Sequence, residues 1–257
     1  MLPPMALFGL VHGSMHGGFC WRDLVVELDR LGHAAVAPDL PCDDVAAGVG
    51  EYADAVEASL AGLPDAEAPV LVGHSLGSRT IPVVAARRPR SRMIFLCSVP
   101  TGAGLIDADA FAGMVTPEYA AARFDARADG ARRIDAEAAG RVFFGECDPR
   151  IRKWAAQQLR WQGPRPLAES APIARWPEVP LDVVLARDDR AVRFEWARAA
   201  AMPWLGGREP RVIPGDHSPF LSRPALLAKT LVECLGGPSG ERPGGRPGGR
   251  VADRVPD

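Results

Sequence analysis

Val70-Leu71-Val72-Gly73-His74-Ser75-Leu76-Gly77-Ser78 is the stretch from which the rest of the chain can be read. A short apolar run ends in Gly-His-Ser-Leu-Gly and passes into Arg79-Thr80-Ile81-Pro82-Val83-Val84-Ala85-Ala86. That order of residues predicts strand, sharp turn, helix. In such a turn Gly-x-Ser-x-Gly holds the serine in a strained backbone conformation with its hydroxyl exposed above the sheet edge. Gly73 and Gly77 leave room where side chains would meet the neighbouring strand and helix. The N–H of Leu76, at the helix start, can face a developing oxyanion. A five-residue pattern also fits a plain Gly/Ser turn, so its meaning depends on what the flanking chain supplies.

Upstream, residues 6–11 form a continuous apolar run, as expected for a buried parallel strand, and lead into the Gly-rich His12-Gly13-Ser14-Met15-His16-Gly17-Gly18. Helical spacing is expected from Cys20 to Leu31, a strand over 33–40 and a helix over 51–63. Downstream, residues 92–98 read as another buried strand. Alternating strands and helices predict a parallel α/β sheet with helices on both faces. From 100 to 177 the rhythm breaks, with helices expected near 109–114, 118–123, 135–142 and 149–160. We read that stretch as an inserted helical cap over an apolar pocket, with one or two of its aromatic residues facing the cavity. The rhythm resumes with strand 181–186, helix 194–202, strand 210–214 and helix 224–235, on whose inner side Leu226, Leu227, Thr230, Leu231 and Cys234 are expected. The expected domains are thus a core of 1–99 with 178–235 and a cap of 100–177. The Gly/Pro/Arg-rich residues 236–257 are expected to be disordered, because they carry too little apolar surface to offset chain entropy.

Activating a serine requires a base, and the base requires an orienting carboxylate. Both slots follow late strands. Strand 210–214 runs into Gly215-Asp216-His217-Ser218-Pro219-Phe220, which makes His217 the expected base. Strand 181–186 runs into Arg187-Asp188-Asp189-Arg190-Ala191-Val192. Adjacent residues cannot both face one site; Asp189, at the start of the Asp-Arg-x-Val ending usual for this loop in such a fold, is the expected acid, and Asp188 stays the alternative. Asp216 is expected to fix its own loop by local hydrogen bonds. The oxyanion hole needs two N–H groups, for which Ser14 and Leu76 are expected. His12 and His16 stand four apart, but their loop is Gly-rich and non-helical, with no carboxylate or thiol beside it in sequence, so no metal site is expected. His12 is expected to brace the loop, and His74 to be structural.

The 257 residues, 47% hydrophobic and 24% charged, suit one large globular domain, and the net charge of −2 points to neither nucleic acid nor an anionic membrane surface. Five scattered cysteines with no C-x-x-C spacing suggest neither a zinc site nor a disulfide framework. With no apolar run of membrane-spanning length and no evident signal peptide, a cytoplasmic location is expected.

The chain resembles the α/β-hydrolases of the plant methylesterase and hydroxynitrile lyase group, with their bacterial relatives. The residues that carry the likeness are 12–21, Gly73-His74-Ser75-Leu76-Gly77, Phe143-Phe144-x-x-Cys147-Asp148-Pro149, Trp154 with Leu159-Arg160, Asp189-Arg190-Ala191-Val192 and 215–219. The resemblance implies six parallel strands and a cofactor-free carboxylesterase acting on small esters with an apolar or aromatic part. Ser75 would be acylated, His217 would shuttle the proton, and Met15, Trp154 and Phe220 would touch substrate. Lyases of the group carry threonine after the oxyanion-loop histidine and lysine after the catalytic one. Gly13 and Ser218 stand there in this chain, which favours an esterase. A non-hydrolytic enzyme such as a lyase or a tailoring enzyme is the second reading, and a silent ligand receptor the third. A homodimer through an exposed cap face is possible on this reading.

Overall fold

The computed structural model describes residues 5–106 and 108–236. Its strands are β1 (Leu7–Val11), β2 (Ala34–Val36), β3 (Val70–His74), β4 (Arg92–Leu96), β5 (Phe124–Ala126), β6 (Arg132–Ile134), β7 (Leu181–Ala186) and β8 (Arg211–Ile213). Its helices are α1 (Arg22–Arg30), α2 (Val49–Leu60), α3 (Ile81–Arg87), α4 (Ala108–Met114), α5 (Pro117–Ala120), α6 (Ala136–Val142), α7 (Pro149–Gln158), α8 (Arg165–Ala168), α9 (Phe194–Ala201), α10 (Pro219–Ser222) and α11 (Pro224–Gly236). Six strands form one parallel sheet in the order β2-β1-β3-β4-β7-β8, as the α/β reading anticipates.

The alternation of side chains along each strand divides the core in two. Phe8, Leu10, Ile94, Leu96, Val184 and Ala186 face one way, onto α1 and α11. Leu7, Val11, Met93, Phe95, Val183 and Leu185 face the other, onto α2, α3 and α9. Apolar residues on both faces explain why these strands read as unbroken hydrophobic runs. All six strands point the same way, so the loops after β1, β3, β7 and β8 emerge at one edge. In open parallel sheets that edge is where ligands bind.

Several boundaries differ from expectation for identifiable reasons. β2 is three residues long, and the expected strand stops short of Pro38, which has no N–H for the ladder. α2 starts at Val49, two residues early, because the Glu51 carboxylate caps the Gly48 N–H at 2.8 Å. Residues 18–21 form a separate tight turn before α1. Leu226 lies on the outer side of α11, 38% exposed. Gly236 closes α11 rather than opening a tail, and residues 237–257 lie outside the described residues.

Between β4 and β7 run five short helices and the β5–β6 hairpin, which the sequence reading lacked. The segment is joined to the rest by backbone bonds. Arg160 N–H donates to Met15 C=O (2.8 Å), Gly163 N–H to Cys42 C=O (2.8 Å) and Thr116 N–H to Ala191 C=O (3.0 Å). Gln162 adds a buried side-chain bond to the Tyr52 hydroxyl at 2.8 Å. No helix among the described residues is long and apolar enough to cross a membrane.

Candidate active site

The turn after β3 forces Ser75 to φ 49°, a left-handed conformation that a serine adopts only under constraint. Of the four non-glycine residues with positive φ among the described residues, Ser75 and Cys97 line one cavity, and a third, Met15, adjoins its wall at Ser14. The glycines around Ser75 are explained by contact. A Cβ on Gly77 would lie 2.5 Å from the Val11 carbonyl oxygen, and one on Gly13 would lie 2.9 Å from the Ser75 Cβ. Two segments, 11–13 and 74–77, therefore meet at van der Waals limits. A threonine at position 13, the lyase-like residue, has no room.

His217, after β8, points its Nδ1 at Asp189 Oδ2, 2.8 Å away, and the two side chains are 3% and 4% exposed. The other Asp189 oxygen accepts the N–H groups of Ala191 (2.7 Å) and Val192 (2.9 Å), which fixes the carboxylate. Asp188 is exposed, and its carboxylate accepts the Gly215 N–H at 3.4 Å. Asp216 is buried and accepts from Ser218 N–H, Ser222 Oγ–H and Glu146 N–H, so it organises the loop that carries His217. Burial raises its pKa.

Ser14, His16, Ser75, Leu76, Cys97 and His217 line the same cavity, of about 800 Å³ with its open mouth included. The Leu76 N–H belongs to the first peptides of a helical turn, which have no partner within it. With a serine, a His–Asp pair and such N–H groups on one cavity, the arrangement can support attack on a carbonyl and stabilise the resulting oxyanion.

Three more histidines brace these parts. His12 Nε2 accepts the Leu40 N–H at 3.0 Å while its Nδ1–H donates to Gly13 C=O at 2.9 Å. His16 Nδ1–H donates to Ser14 C=O at 2.8 Å and so orients the peptide next to the expected oxyanion donor. His74 Nε2–H donates to the His217 carbonyl at 2.9 Å, joining the serine turn directly to the histidine loop. Burial pushes the His12 pKa down to about 4 and that of His16 to about 3, and holds His74 well below its ordinary value. Unfolded, each would protonate near pH 6.5, so the folded state loses stability as pH falls from about 6.5 towards 4. We expect a slope approaching about 1.4 kcal/mol per pH unit for His12 and for His16 inside that window, read as a falling urea midpoint. A flat midpoint from pH 7 to 4.5 would contradict the burial of these imidazoles.

Met15, Trp154 and Phe220, the expected substrate contacts, do not line the cavity. The left-handed backbone of Met15 (φ 64°) turns its side chain under the hairpin, where Sδ accepts the Ile134 N–H. Trp154 stands beneath the Arg22 guanidinium (4.4 Å) and edge-on to Phe19 (5.7 Å). Phe220 is fully buried between Trp21 (4.6 Å) and His74 (4.8 Å). The aromatic walls are instead Phe111, Tyr119, Phe143 and Trp196. Trp196 lies on α9, outside the 100–177 segment whose aromatics are expected at the cavity.

The sheet order and the serine turn are those of the α/β-hydrolase fold. Residues 10–230 match the alpha/beta hydrolase family, and the chain belongs to it. It is 24% identical to alpha/beta hydrolase nvfD of Aspergillus novofumigatus over 251 residues, 92% of this chain and 98% of that protein. Methylesterase 1 of Arabidopsis thaliana is 33% identical over 90 residues, 32% of this chain and 34% of its own length, so that likeness is local. Among solved structures, polyneuridine aldehyde esterase superposes with a TM-score of 0.72 at 19% identity, covering 90% of this chain and 99% of that one. A pyrethroid hydrolase from Sphingobium faniae gives 0.70 at 22% identity, covering 91% and 98%. At these identities the solved structures share the fold.

Proposed function

We propose that the chain is a serine carboxylesterase for small esters. The observation that carries this reading is the buried His217–Asp189 hydrogen bond of 2.8 Å beside the cavity that Ser75 lines. Relatives named as methylesterases and esterases support the reaction class. Ser75 attacks the ester carbonyl while His217 accepts its proton. Asp189 keeps that imidazole in the tautomer whose Nε2 is free to do so. The N–H groups of Ser14 and Leu76 hold the oxyanion. His217 then protonates the departing alcohol, and water activated by the same imidazole releases the acid. The segment between β4 and β7 acts as a cap, supplying Phe111, Tyr119 and Phe143 as apolar walls.

The two adjacent aspartates give a direct test. Asp189→Asn is expected to lower kcat for p-nitrophenyl butyrate by about 10⁴-fold, because an amide favours the wrong imidazole tautomer. Asp188→Asn, at an exposed carboxylate, is expected to stay within about threefold of the parent, a surface-level effect. Reversal of that order would assign the acid to Asp188.

A further inference from the structure

Arg79 is, histidines aside, the only charged side chain among the described residues lining the cavity. It follows Ser75 by one helical turn and is 4% exposed. Its Nε–H donates to the Pro166 carbonyl (3.0 Å), both terminal nitrogens donate to the Gly104 carbonyl (3.2 Å each), and one also donates to the Glu169 carbonyl (2.6 Å). These four bonds go to neutral acceptors and leave one of the five guanidinium N–H groups without a partner among the described residues. No carboxylate pairs with Arg79 among the described residues. The Glu169 carboxylate, the described countercharge that acts on Arg79, is committed to Val49 N–H (2.6 Å) and to Arg165 (2.8 Å). Ser78, the residue before Arg79, and Thr101 also line the cavity, and the hydroxyl of neither bonds to another described residue.

A buried cation satisfied only by carbonyls keeps an unspent attraction for an anion, and the surrounding apolar walls strengthen it. We propose that Arg79, Ser78 and Thr101 form an anion-recognising corner of the cavity, and that preferred substrates are half-esters carrying a free carboxylate. The inference rests on the ester-hydrolase reading above and names its substrate class. The guanidinium then does two things: its four bonded N–H groups clasp the cap, and its charge reads the substrate.

The experiment compares monomethyl succinate, glutarate and adipate with methyl butanoate, pentanoate and hexanoate, following methanol release at pH 7.5 and low salt. At least one half-ester is expected to exceed its neutral partner by about tenfold in kcat/KM, the worth of one charge-assisted contact. In Arg79→Gln the ratio of half-ester to neutral-ester kcat/KM is expected to fall about tenfold, a readout that loss of the cap clasp, acting on both esters alike, would not move. Arg79→Lys, which keeps the charge, is expected to retain the order of preference. Neutral esters favoured throughout by the parent enzyme, or both classes falling together in Arg79→Gln, would overturn the proposal and leave Arg79 as a clasp alone. The parent preference needs no variant, so a poorly folding Arg79→Gln does not remove the test. If no ester is turned over, the esterase reading fails by itself. Calorimetric binding of free glutarate and adipate then decides: binding weakened in Arg79→Gln or, if that variant does not fold, preserved in Arg79→Lys sustains the anion corner, and any other result removes it.

Discussion

Ser75→Ala is expected to lower turnover of p-nitrophenyl butyrate by about 10⁴-fold or more while the protein remains folded. The side chain lost is one oxygen atom at a half-buried position, so the turn keeps its packing. Left-handed φ is no harder for alanine than for another ordinary L-residue, so the strain at 49° persists in the variant. What disappears is the atom proposed to attack. The proposed oxyanion N–H groups and the cavity survive, and on that reading they account for any residual rate. Labelling by a fluorophosphonate should vanish with it. A variant within tenfold of the parent would place the nucleophile elsewhere. A parent that is labelled yet cleaves no ester of any chain length would favour a non-hydrolytic reaction on the same fold.

The second large effect is expected at a residue with no chemistry. Gly77→Ala places a methyl group 2.5 Å from the Val11 carbonyl oxygen and 2.7 Å from that of His12. Both obstacles are backbone. Val11 pairs with Gly73 in the sheet, and His12 is held by the Leu40 N–H, so neither can yield without moving the oxyanion loop or the serine turn. We expect a loss of about 3 kcal/mol or more in urea unfolding, in the range of severe overpacking, together with a collapse of kcat. Gly50→Ala is the control. Its Cβ would meet only Pro172 at 3.8 Å, within α2, and replacing a helical glycine is expected to stabilise by about 0.5–1 kcal/mol. Equal behaviour of the two variants would show that the close approach at Gly77 relaxes freely.

The difference between these glycines is partly written in the sequence. Gly77 sits in a pattern whose geometry is demanding, so its role is legible. The same holds for β7, whose six-residue run coincides with its observed bounds, and for the placing of His217 and Asp189 after late strands. These features rest on local pattern and chain order. The cavity walls rest on neither. Met15 is turned away from the cavity at a left-handed backbone position, and Phe220 is held in a ring cluster drawn from three separate stretches of the chain. Arg79 looks like a surface cation at the start of a helix until Gly104, Pro166 and Glu169 fold over it. The hairpin strands are three residues each, too short for alternation to register, and one is held partly by Gln162.

The bonds from Met15, Cys42, Tyr52, Arg79 and Ala191 to the segment between β4 and β7 bear on how such enzymes can be recombined. Cutting at residues 100 and 177 and grafting in a relative's insert would sever contacts whose other halves stay behind in five distant stretches of the recipient. A working chimera would need those anchor positions transferred with the insert. The exchangeable unit is therefore discontinuous in sequence, and this links any change in substrate range to changes in the scaffold beneath it.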